Sequence, residues 1–451
     1  MDQQKRREFL KASGLLAGGI ALSPFASAHR SSYGFNSNVD DTIKVALIGC
    51  GGRGTGAAAQ ALSTKQNVKI VAMADAFRDR LETSYKSLTS KKYTDANGKN
   101  VEGTAKVDVP DSRKFVGFEA YKDAMALADV VILATPPGFR PYHLEEAIKQ
   151  GKHVFCEKPV ATDAPGIRKV LEVAEIAKKK KLNIVTGLQR HYQPNYREAI
   201  KRIEDGALGD IVGGQVYWIS GGVWVKDRLP SMTEMEYQMR NWYYFNWLCG
   251  DHITEQHVHN IDVANWVKGS YPVEIQGTGG REVRDGKMYG EIFDHHCLDL
   301  VYADGTTISS QCRHYEGTYS RVDEAFVGTK GRIDSFSNKN TILKDYKGKV
   351  IYAHDSKGDG NPYQIEHDEL FEAIAKGEYK FADAERTAKS TMTAIMGRMA
   401  TYSGKLVKWD EALNSDINLF PDKLAWDAMP KVLPDENGFY PIPVPGKTRA
   451  V

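Results

Sequence analysis

A glycine-rich turn follows an apolar run close to residue 45. Residues 49–54 read Gly-Cys-Gly-Gly-Arg-Gly, the apolar run before them has the character of a buried strand, and a helix pattern begins near Thr55. The glycines allow a tight turn and a close approach of the backbone to a pyrophosphate, while the first helical turn offers unpaired N–H groups to the anion. Asp75 ends a second predicted strand, 26 residues after Gly49, where a carboxylate can bind ribose hydroxyls. Together these features predict a dinucleotide site.

Asp75 also bears on the choice of dinucleotide. Its carboxylate would repel the 2′-phosphate of NADP, so we expect NAD. Arg53, Arg78 and Arg80 are close enough in the sequence to accommodate that phosphate, and NADP is therefore the alternative cofactor.

A second motif follows a later predicted strand. Residues 151–159 read Gly-Lys-His-Val-Phe-Cys-Glu-Lys-Pro, after Ala-Thr-Pro-Pro at 134–137 and Pro-Tyr-His at 141–143. Taken alone, Glu157 and Lys158 could be a surface ion pair.

Residues 250–262 contain several side chains that can exchange protons. On a helix, Glu255 and His259 are four residues apart and share one face, which Asp262 extends. A carboxylate that orients an imidazole, which in turn accepts a hydroxyl proton, can act as an acid–base pair.

The same segment also contains metal-binding residue types. Asp251, His252, Glu255, His257 and His259 are all competent ligands, but His257 lies about 200° around a helix from both Glu255 and His259. The adjacent residues His295 and His296 face opposite ways on a strand, so only one of them can point into a cleft. We therefore predict no metal, and metal binding by residues 251–259 is the alternative.

Aromatic, amide and guanidinium side chains cluster in two further segments. Residues 241–247 read Asn-Trp-Tyr-Tyr-Phe-Asn-Trp, and residues 189–193 read Gln-Arg-His-Tyr-Gln. Aromatic faces stack on the C–H face of a sugar while amides and guanidinium groups bind its hydroxyls. The expected substrate contacts are Arg190, Tyr192, Trp242 and Asn246, although the aromatic run could equally fill a core or a domain interface.

These motifs together resemble those of the Gfo/Idh/MocA family, named for glucose-fructose oxidoreductase and inositol dehydrogenase. The resemblance runs from about Ile43 to Gly404, and Glu-Lys-Pro at the end of a Rossmann strand is its most specific element. It implies that Lys158 lies beside the nicotinamide and the reacting hydroxyl, where an ammonium lowers the cost of forming an alkoxide as hydride leaves. The residues expected at the cofactor are Gly49, Gly51, Gly52, Arg53, Gly54, Asp75, Thr135, Pro136, Pro137, His143, Glu157 and Lys158.

The resemblance also implies a catalytic group. The family pattern is Asp-x-x-x-His-x-x-Asp, in which the first Asp and the His join the lysine. Here Glu255 stands in place of that Asp, which moves the carboxylate by about one carbon–carbon bond. The expected catalytic residues are Lys158, His259 and Glu255, with Glu255 orienting His259.

The elements that must position these residues indicate an α/β fold. Continuous apolar strands alternate with helices up to about residue 189, as in a parallel sheet covered on both faces, with residues 89–111 as a loop insertion. Alternating strands with glycine turns then indicate an open, mainly antiparallel sheet, interrupted by one helix near residues 253–267. We predict a Rossmann NAD-binding domain at 41–189, an α+β substrate and oligomerisation domain at 190–404, and a C-terminal arm at 405–451.

The first 28 residues resemble an export signal. A basic stretch that includes Arg6 and Arg7 precedes small apolar residues at 12–25 and Ala-Ser-Ala at 26–28. The arginine pair followed by Phe-Leu-Lys is similar to a twin-arginine signal, which exports proteins that are already folded; a Sec signal with a chance arginine pair is the alternative. We expect a linker at 29–40, location in the bacterial periplasm and no membrane span in the mature chain.

Composition excludes other classes of protein. The chain has 60 Lys and Arg against 58 Asp and Glu, so it lacks the basic excess of nucleic-acid-binding proteins. Its five cysteines are odd in number and irregularly spaced, and we expect mostly buried thiols.

Three functions remain open at this point. The first is an exported NAD(P)-dependent oxidoreductase acting on a sugar or cyclic polyol, with a retained cofactor because free nicotinamide is scarce outside the cytoplasm. The second is an NAD-dependent glycoside hydrolase or lyase that oxidises its substrate transiently, eliminates a substituent and reduces it again. The third is a non-catalytic sugar-binding protein. The resemblance also implies a homo-oligomer, either a dimer or a tetramer.

Overall fold

The computed structural model describes residues 41–95, 97–337, 341–449 and 451. The signal and linker predicted for residues 1–40 lie outside these residues. Eight strands belong to the first half of the chain: β1 (Ile43–Ile48), β2 (Val68–Asp75), β3 (Lys92–Thr94), β4 (Asn100–Glu102), β5 (Lys114–Val116), β6 (Val130–Leu133), β7 (His153–Cys156) and β8 (Ile184–Thr186). Six of them form a sheet in the order β5-β2-β1-β6-β7-β8, with all neighbours parallel. This is the strand order of a Rossmann fold, which confirms the predicted fold class.

Helices cover both faces of this sheet, and its central strands are apolar for that reason. Every residue of β6 is buried. The helices of this half are α1 (Gly52–Leu62), α2 (Arg78–Thr89), α3 (Gly103–Lys106), α4 (Ala120–Ala126), α5 (Arg140–Lys149) and α6 (Ala164–Lys180). At the start of helix α6, the Asp163 side chain accepts a hydrogen bond from the Gly166 N–H. Its last turn contains lysines, whose positive charges interact favourably with the negative end of the helix dipole.

The predicted loop insertion at 89–111 is more ordered than expected. Its strands β3 and β4 pair as an antiparallel hairpin, followed by the single turn α3. The turn residues Asp95 and Gly98 close the hairpin through backbone hydrogen bonds. These short strands could not be recognised in the sequence, because the hairpin lies at the surface and its residues are mostly polar.

The second half is built on a nine-stranded sheet. Its strands are β9 (Ile211–Ser220), β10 (Glu274–Gly280), β11 (His295–Val301), β12 (Thr307–His314), β13 (Arg321–Gly328), β14 (Gly331–Phe336), β15 (Thr341–Asp345), β16 (Val350–Ala353) and β17 (Val407–Lys408). The order is β16-β15-β14-β13-β9-β12-β11-β10-β17, and only the β12–β9 pair is parallel. The prediction of a mainly antiparallel sheet is confirmed.

The remaining helices lie beside this sheet or connect the two halves. They are α7 (Pro194–Glu204), α8 (Glu234–Arg240), α9 (Asn246–Cys249), α10 (Val258–Lys268), α11 (Pro362–Ala375), α12 (Asp383–Ser403) and α13 (Trp409–Leu413). Helices α10 and α12 pack against the sheet, whereas α11 packs on α1 and β7 of the Rossmann half. Residues near 381 also extend the Rossmann sheet, because the Ile184 N–H donates to the Phe381 carbonyl. The chain therefore returns to its first half within the range 190–404 that we assigned to the second.

The segment after α13 crosses both halves without regular structure. Phe420 packs on Phe139 and Trp247, and Trp426 packs on Phe77 and Phe118. No helix among the described residues is long and apolar enough to cross a membrane. All five cysteines are free thiols, and all but Cys297 are buried.

Candidate active site

A cleft of about 760 Å³ is lined by both halves of the molecule. Its floor is the carboxyl edge of the Rossmann sheet, where ligands of such folds bind. Its other walls come from β9, the loop after β9, α8 and the helix that begins at residue 253. Every residue predicted at the cofactor lines this cleft except Pro137, which is buried in the short turn Pro137–Phe139.

The glycine turn combines tight packing with an open surface. Gly49 has a φ of 93°, and a Cβ atom on Gly54 would lie 1.9 Å from the Gly49 carbonyl oxygen, so the helix can approach β1 only with glycine at 54. A Cβ atom on Gly51 or Gly52 would meet nothing within 4 Å. These two glycines thus leave the backbone exposed to the cleft, as a pyrophosphate requires.

Asp75 lies at the end of β2, as predicted. Its carboxylate accepts hydrogen bonds from the N–H groups of Cys50 at 2.6 Å and Phe77 at 2.9 Å. Burial raises the pKa of Asp75 above its ordinary value, and the two N–H groups oppose that rise. Arg80 lines the same end of the cleft, whereas Arg78 pairs with Glu82 near the surface.

Arg53 and Glu157 bind each other at the cleft floor. The Arg53 guanidinium donates to the Glu157 carboxylate and, at 3.1 Å, to Gln60. A Cβ atom on Gly187 would lie 2.5 Å from Glu157, so glycine at 187 makes room for this carboxylate. Arg53 is therefore already paired, which leaves it poorly placed to neutralise a 2′-phosphate.

His143 is held in the cleft wall as a neutral imidazole. Its Nδ1 lies 3.1 Å from the Thr135 hydroxyl, and its ring packs between Tyr121 and Phe139. Burial, with a contribution from the Arg140 charge, lowers the pKa of His143 to about 3.

Lys158 and Glu255 form an ion pair in the cleft. The Lys158 Nζ lies 3.1 Å from the Glu255 Oε1 and also donates to the Glu255 backbone carbonyl. Both side chains are mostly buried, with 13% and 12% of their surfaces exposed. The sequence could not foresee this contact, because the two residues are 97 positions apart.

His259 lines the cleft beside this pair. Its Nδ1 has no hydrogen-bond partner in the part of the chain that the structure describes, and its ring lies 6.0 Å from that of Trp218. Burial holds the pKa of His259 well below its ordinary value, and the charge of Lys158 lowers it further. The imidazole is therefore neutral and able to accept a proton.

The predicted orientation of His259 by Glu255 is wrong. The Glu255 carboxylate pairs with the Lys158 cation, since a charged partner attracts it more strongly than a neutral imidazole does. The helix there starts with a π turn at Ile253–His257, a feature that is frequent at functional sites. Asp262 does not extend the site either, because it binds His191 at 2.6 Å and Ser390 at 2.7 Å in the interior.

Only one of the four predicted substrate contacts lines the cleft. Trp242 does so, together with Trp224. Three predictions are wrong because the side chains are committed to buried partners elsewhere: Arg190 to Glu324, Tyr192 to Asp383, and Asn246 to Tyr402. Sequence reasoning missed further lining residues for which no spacing rule exists, namely Trp218, Trp224, Lys226, Arg240, Gln256 and Tyr363.

The side chains of residues 251–259 that could bind a metal lie in separate environments. Glu255 and His259 face the cleft, and His257 Nε2 lies 2.8 Å from the Ser310 hydroxyl in the core. His295 is partly exposed and His296 is buried, so the two adjacent histidines face opposite ways as expected.

The Rossmann sheet, the open glycine turn and the Asp75 carboxylate define a dinucleotide-binding protein. A model described as "Oxidoreductase family, NAD-binding Rossmann fold" matches residues 43–187, and a model of the GFO/IDH/MocA C-terminal domain matches residues 196–334. The two matches together span more than half of the chain. The chain therefore belongs to the Gfo/Idh/MocA family.

Known relatives are similar along most of their length. Inositol 2-dehydrogenase from Rhizobium meliloti is 25% identical over 72% of this chain and 82% of the relative, and that from Azotobacter vinelandii is 26% identical over 75% and 95%. Among solved structures, aldose-aldose oxidoreductase from Caulobacter crescentus, complexed with glycerol, has a TM-score of 0.61 at 19% identity, covering 81% of this chain and 99% of that one. Scyllo-inositol dehydrogenase from Lactobacillus casei with NAD(H) and scyllo-inositol has a TM-score of 0.59 at 19% identity, covering 82% and 99%. The two structures show a shared fold.

Proposed function

We propose that this oxidoreductase moves hydride between NAD and a CH–OH carbon of a sugar or cyclic polyol. The observation that carries the proposal is the grouping of Lys158, Glu255 and neutral His259 at one place in the cleft. Relatives named inositol 2-dehydrogenase support a polyol or sugar as substrate.

His259 and Lys158 divide the chemistry at the reacting hydroxyl. NAD, when bound, supplies the hydride acceptor. As the C–H bond breaks, neutral His259 takes the hydroxyl proton, and the Lys158 ammonium stabilises the negative charge that develops on oxygen. Glu255 holds the ammonium through its carboxylate and its backbone carbonyl, which keeps Lys158 in one position. In the reverse direction His259 returns the proton to the carbonyl oxygen.

The indole rings in the cleft provide a surface for the sugar. Trp218, Trp224 and Trp242 line the cleft on the side of the second half, with Lys226 near them as a hydrogen-bond donor. Apolar ring faces and a few polar groups suit the C–H face and the hydroxyls of a pyranose or inositol.

NAD is the cofactor that we propose in preference to NADP. The Asp75 carboxylate stands where the adenosine ribose binds in such folds and would repel a 2′-phosphate. Arg53 is paired with Glu157 and Arg78 with Glu82, so two of the three arginines considered for that phosphate are occupied.

We further propose that the protein is exported with its cofactor already bound. The paired Arg6 and Arg7, the apolar stretch and the Ala-Ser-Ala site support export of a folded protein to the periplasm. A retained cofactor would be reoxidised by a second sugar. A dimer or tetramer, formed through the open face of the nine-stranded sheet, remains part of this proposal.

The test is absorbance at about 340 nm of the purified protein, with no cofactor added, while aldoses, ketoses, inositols and aryl glycosides are supplied in turn. A rise with a simple sugar or inositol, reversed by a keto-sugar, supports a retained cofactor and a two-substrate oxidoreductase. A rise only when NAD is added contradicts cofactor retention but not the oxidoreductase. Release of an aglycone without a net rise moves the assignment to the glycoside hydrolase or lyase.

A further inference from the structure

Buried histidines gather behind the helix that carries Glu255 and His259. Asp251, His252 and His296 are each no more than 2% exposed, and one ligand atom from each lies within 4.8 Å of the other two. Asp251 and His252 directly precede the π turn, while His296 comes from β11. None of the three lines the cleft, so this cluster is separate from the site described above.

The backbone and side chain of Asp251 are both held in an unusual way. Its φ is 71°, a left-handed conformation that residues other than glycine rarely adopt and that is often found at functional sites. Its carboxylate accepts hydrogen bonds from the Phe293 N–H at 2.9 Å and the Tyr402 hydroxyl at 2.5 Å, and it lies 2.8 Å from His252 Nδ1. The carboxylate is thereby fixed in one orientation.

The hydrogen bonds of His296 define its tautomer. The Thr401 hydroxyl donates to the backbone carbonyls one turn earlier in α12, so it accepts a hydrogen bond from His296 Nδ1, 3.0 Å away. The neutral ring then has a lone pair on Nε2, and this atom lies 3.4 Å from Asp251 Oδ2. Two acceptors that face each other in the interior repel unless a cation lies between them.

His252 also has a ring nitrogen without a hydrogen-bond partner among the described residues. Because its Nδ1 donates to Asp251, its Nε2 carries a lone pair, and this buried atom has no hydrogen-bond partner among the described residues. Its ring lies 4.9 Å from that of His296. The neighbouring His314 differs, because its Nδ1 accepts from Arg284 and its hydrogen is therefore on Nε2.

We propose that Asp251, His252 and His296 bind a divalent transition-metal ion, with Zn²⁺ as the first candidate. Two imidazoles and one carboxylate are a donor set that suits Zn²⁺, and a water molecule would take the fourth position. Zn–N and Zn–O bonds of about 2.0–2.1 Å in a tetrahedron separate two ligand atoms by about 3.4 Å. The distance between His296 Nε2 and Asp251 Oδ2 has this value. We did not predict this metal site from the sequence, because it requires His296, which is 45 residues from Asp251 in the chain.

The metal would act by positioning the catalytic helix. The Asp251 backbone carbonyl accepts the N–H groups of Thr254 at 3.0 Å and Glu255 at 2.9 Å. Bonds from one ion to Asp251, His252 and His296 would therefore tie the start of this helix to β11. The proposal does not depend on the sugar substrate proposed above.

The test is metal analysis of the full chain. The protein is treated with a chelator, incubated with Zn²⁺, desalted and analysed by mass spectrometry, and affinity is measured by competition with a chromophoric chelator. We expect about one Zn²⁺ per chain, and at least about tenfold weaker binding in the His296→Ala variant. Co²⁺ in place of Zn²⁺ should give visible absorption typical of a tetrahedral site, which the same variant loses.

His295→Ala is the matched control, because His295 neighbours His296 but faces the other side of β11 and binds Asp294. It should retain the metal. If His296→Ala fails to fold, Thr401→Val replaces it, since this variant keeps the imidazole but removes the hydroxyl that sets the His296 tautomer, and it should weaken binding by about tenfold. The proposal is overturned if the native protein retains no Zn²⁺, or if the His296 and Thr401 variants retain as much Zn²⁺ as the native protein. A proton shared between His296 and Asp251 would then explain their contact.

Discussion

At the scale of single residues, Lys158 is the charge that the proposed reaction needs most. In Lys158→Met we expect kcat to fall by about 10²–10³-fold, because the developing negative charge on oxygen loses its stabilising cation. The affinity for NAD should fall much less than kcat, since the glycine turn and Asp75 are untouched. Steady-state kinetics and NAD titration by fluorescence separate the two effects. Lys152→Met, which removes a lysine bound to the Ala128 carbonyl away from the cleft, should leave kcat unchanged.

His259 provides a pH prediction. Protonation of the neutral imidazole would abolish its function as a base, and its pKa is depressed below the ordinary value of about 6.5 by burial and by Lys158. We therefore expect that kcat/KM does not fall as the pH is lowered to about 6.5, and that the acid limb lies below that value. NMR titration should find a higher pKa for His259 in Lys158→Met than in the native protein. An unchanged pKa would contradict the proximity of the two groups.

Asp75 should decide between the two dinucleotides. Asp75→Asn loses the negative charge and keeps one of the two oxygens that accept the Cys50 and Phe77 N–H groups. We expect the ratio of the NADP Kd to the NAD Kd to fall by about tenfold, because repulsion of the 2′-phosphate is relieved. Isothermal titration of both dinucleotides measures this ratio. The exposed Asp111→Asn serves as the control, and equal ratios in the two variants would reject the role of Asp75.

At the scale of elements, the glycine turn requires glycine at two positions for different reasons, one for packing and one for NAD binding. Gly54→Ala should lower Tm, because its methyl group would meet the Gly49 carbonyl oxygen at 1.9 Å. Gly51→Ala should leave Tm unchanged, because nothing lies within 4 Å of the added carbon, but it should weaken NAD binding by filling space that the pyrophosphate needs. Calorimetry and NAD titration of the two variants test both statements. The same Tm for both would show that the close approach is not required.

The sequence predicted the elements whose signal is local. The strand, turn and helix around Gly49 and the Glu-Lys-Pro strand end are short motifs with their own spacing, and both are found in the cleft. The partner of Glu255 could not be predicted in this way, because Lys158 reaches it only through the packing of two domains. The predictions for Arg190 and Tyr192 were wrong because their partners are also distant in the sequence. Guanidinium and phenol groups, moreover, suit a sugar and a buried carboxylate equally well.

At the scale of the whole molecule, Arg190 joins the two halves from within. It follows the last Rossmann strand and pairs in the core with Glu324 of β13, whose pKa burial raises to about 7 even with the arginine present. Arg190→Met should reduce the free energy of unfolding by about 3–5 kcal/mol, because it leaves a buried carboxylate without its cationic partner. Urea denaturation measures the loss. Arg202→Met, which breaks a surface pair with Glu198, should cost less than about 1 kcal/mol.

The covering of strand β8 by residues near 381 has a consequence for synthesis on the ribosome. Ile184 and Phe381 are almost 200 residues apart, and the Thr186 N–H reaches Asp383 over the same interval. At translation rates of about 5–20 residues per second, the edge of the first sheet stays open for roughly 10–40 s after it emerges. An open strand edge is a template for pairing with other chains. The nascent chain therefore passes through an interval in which its own fold does not yet cover that edge.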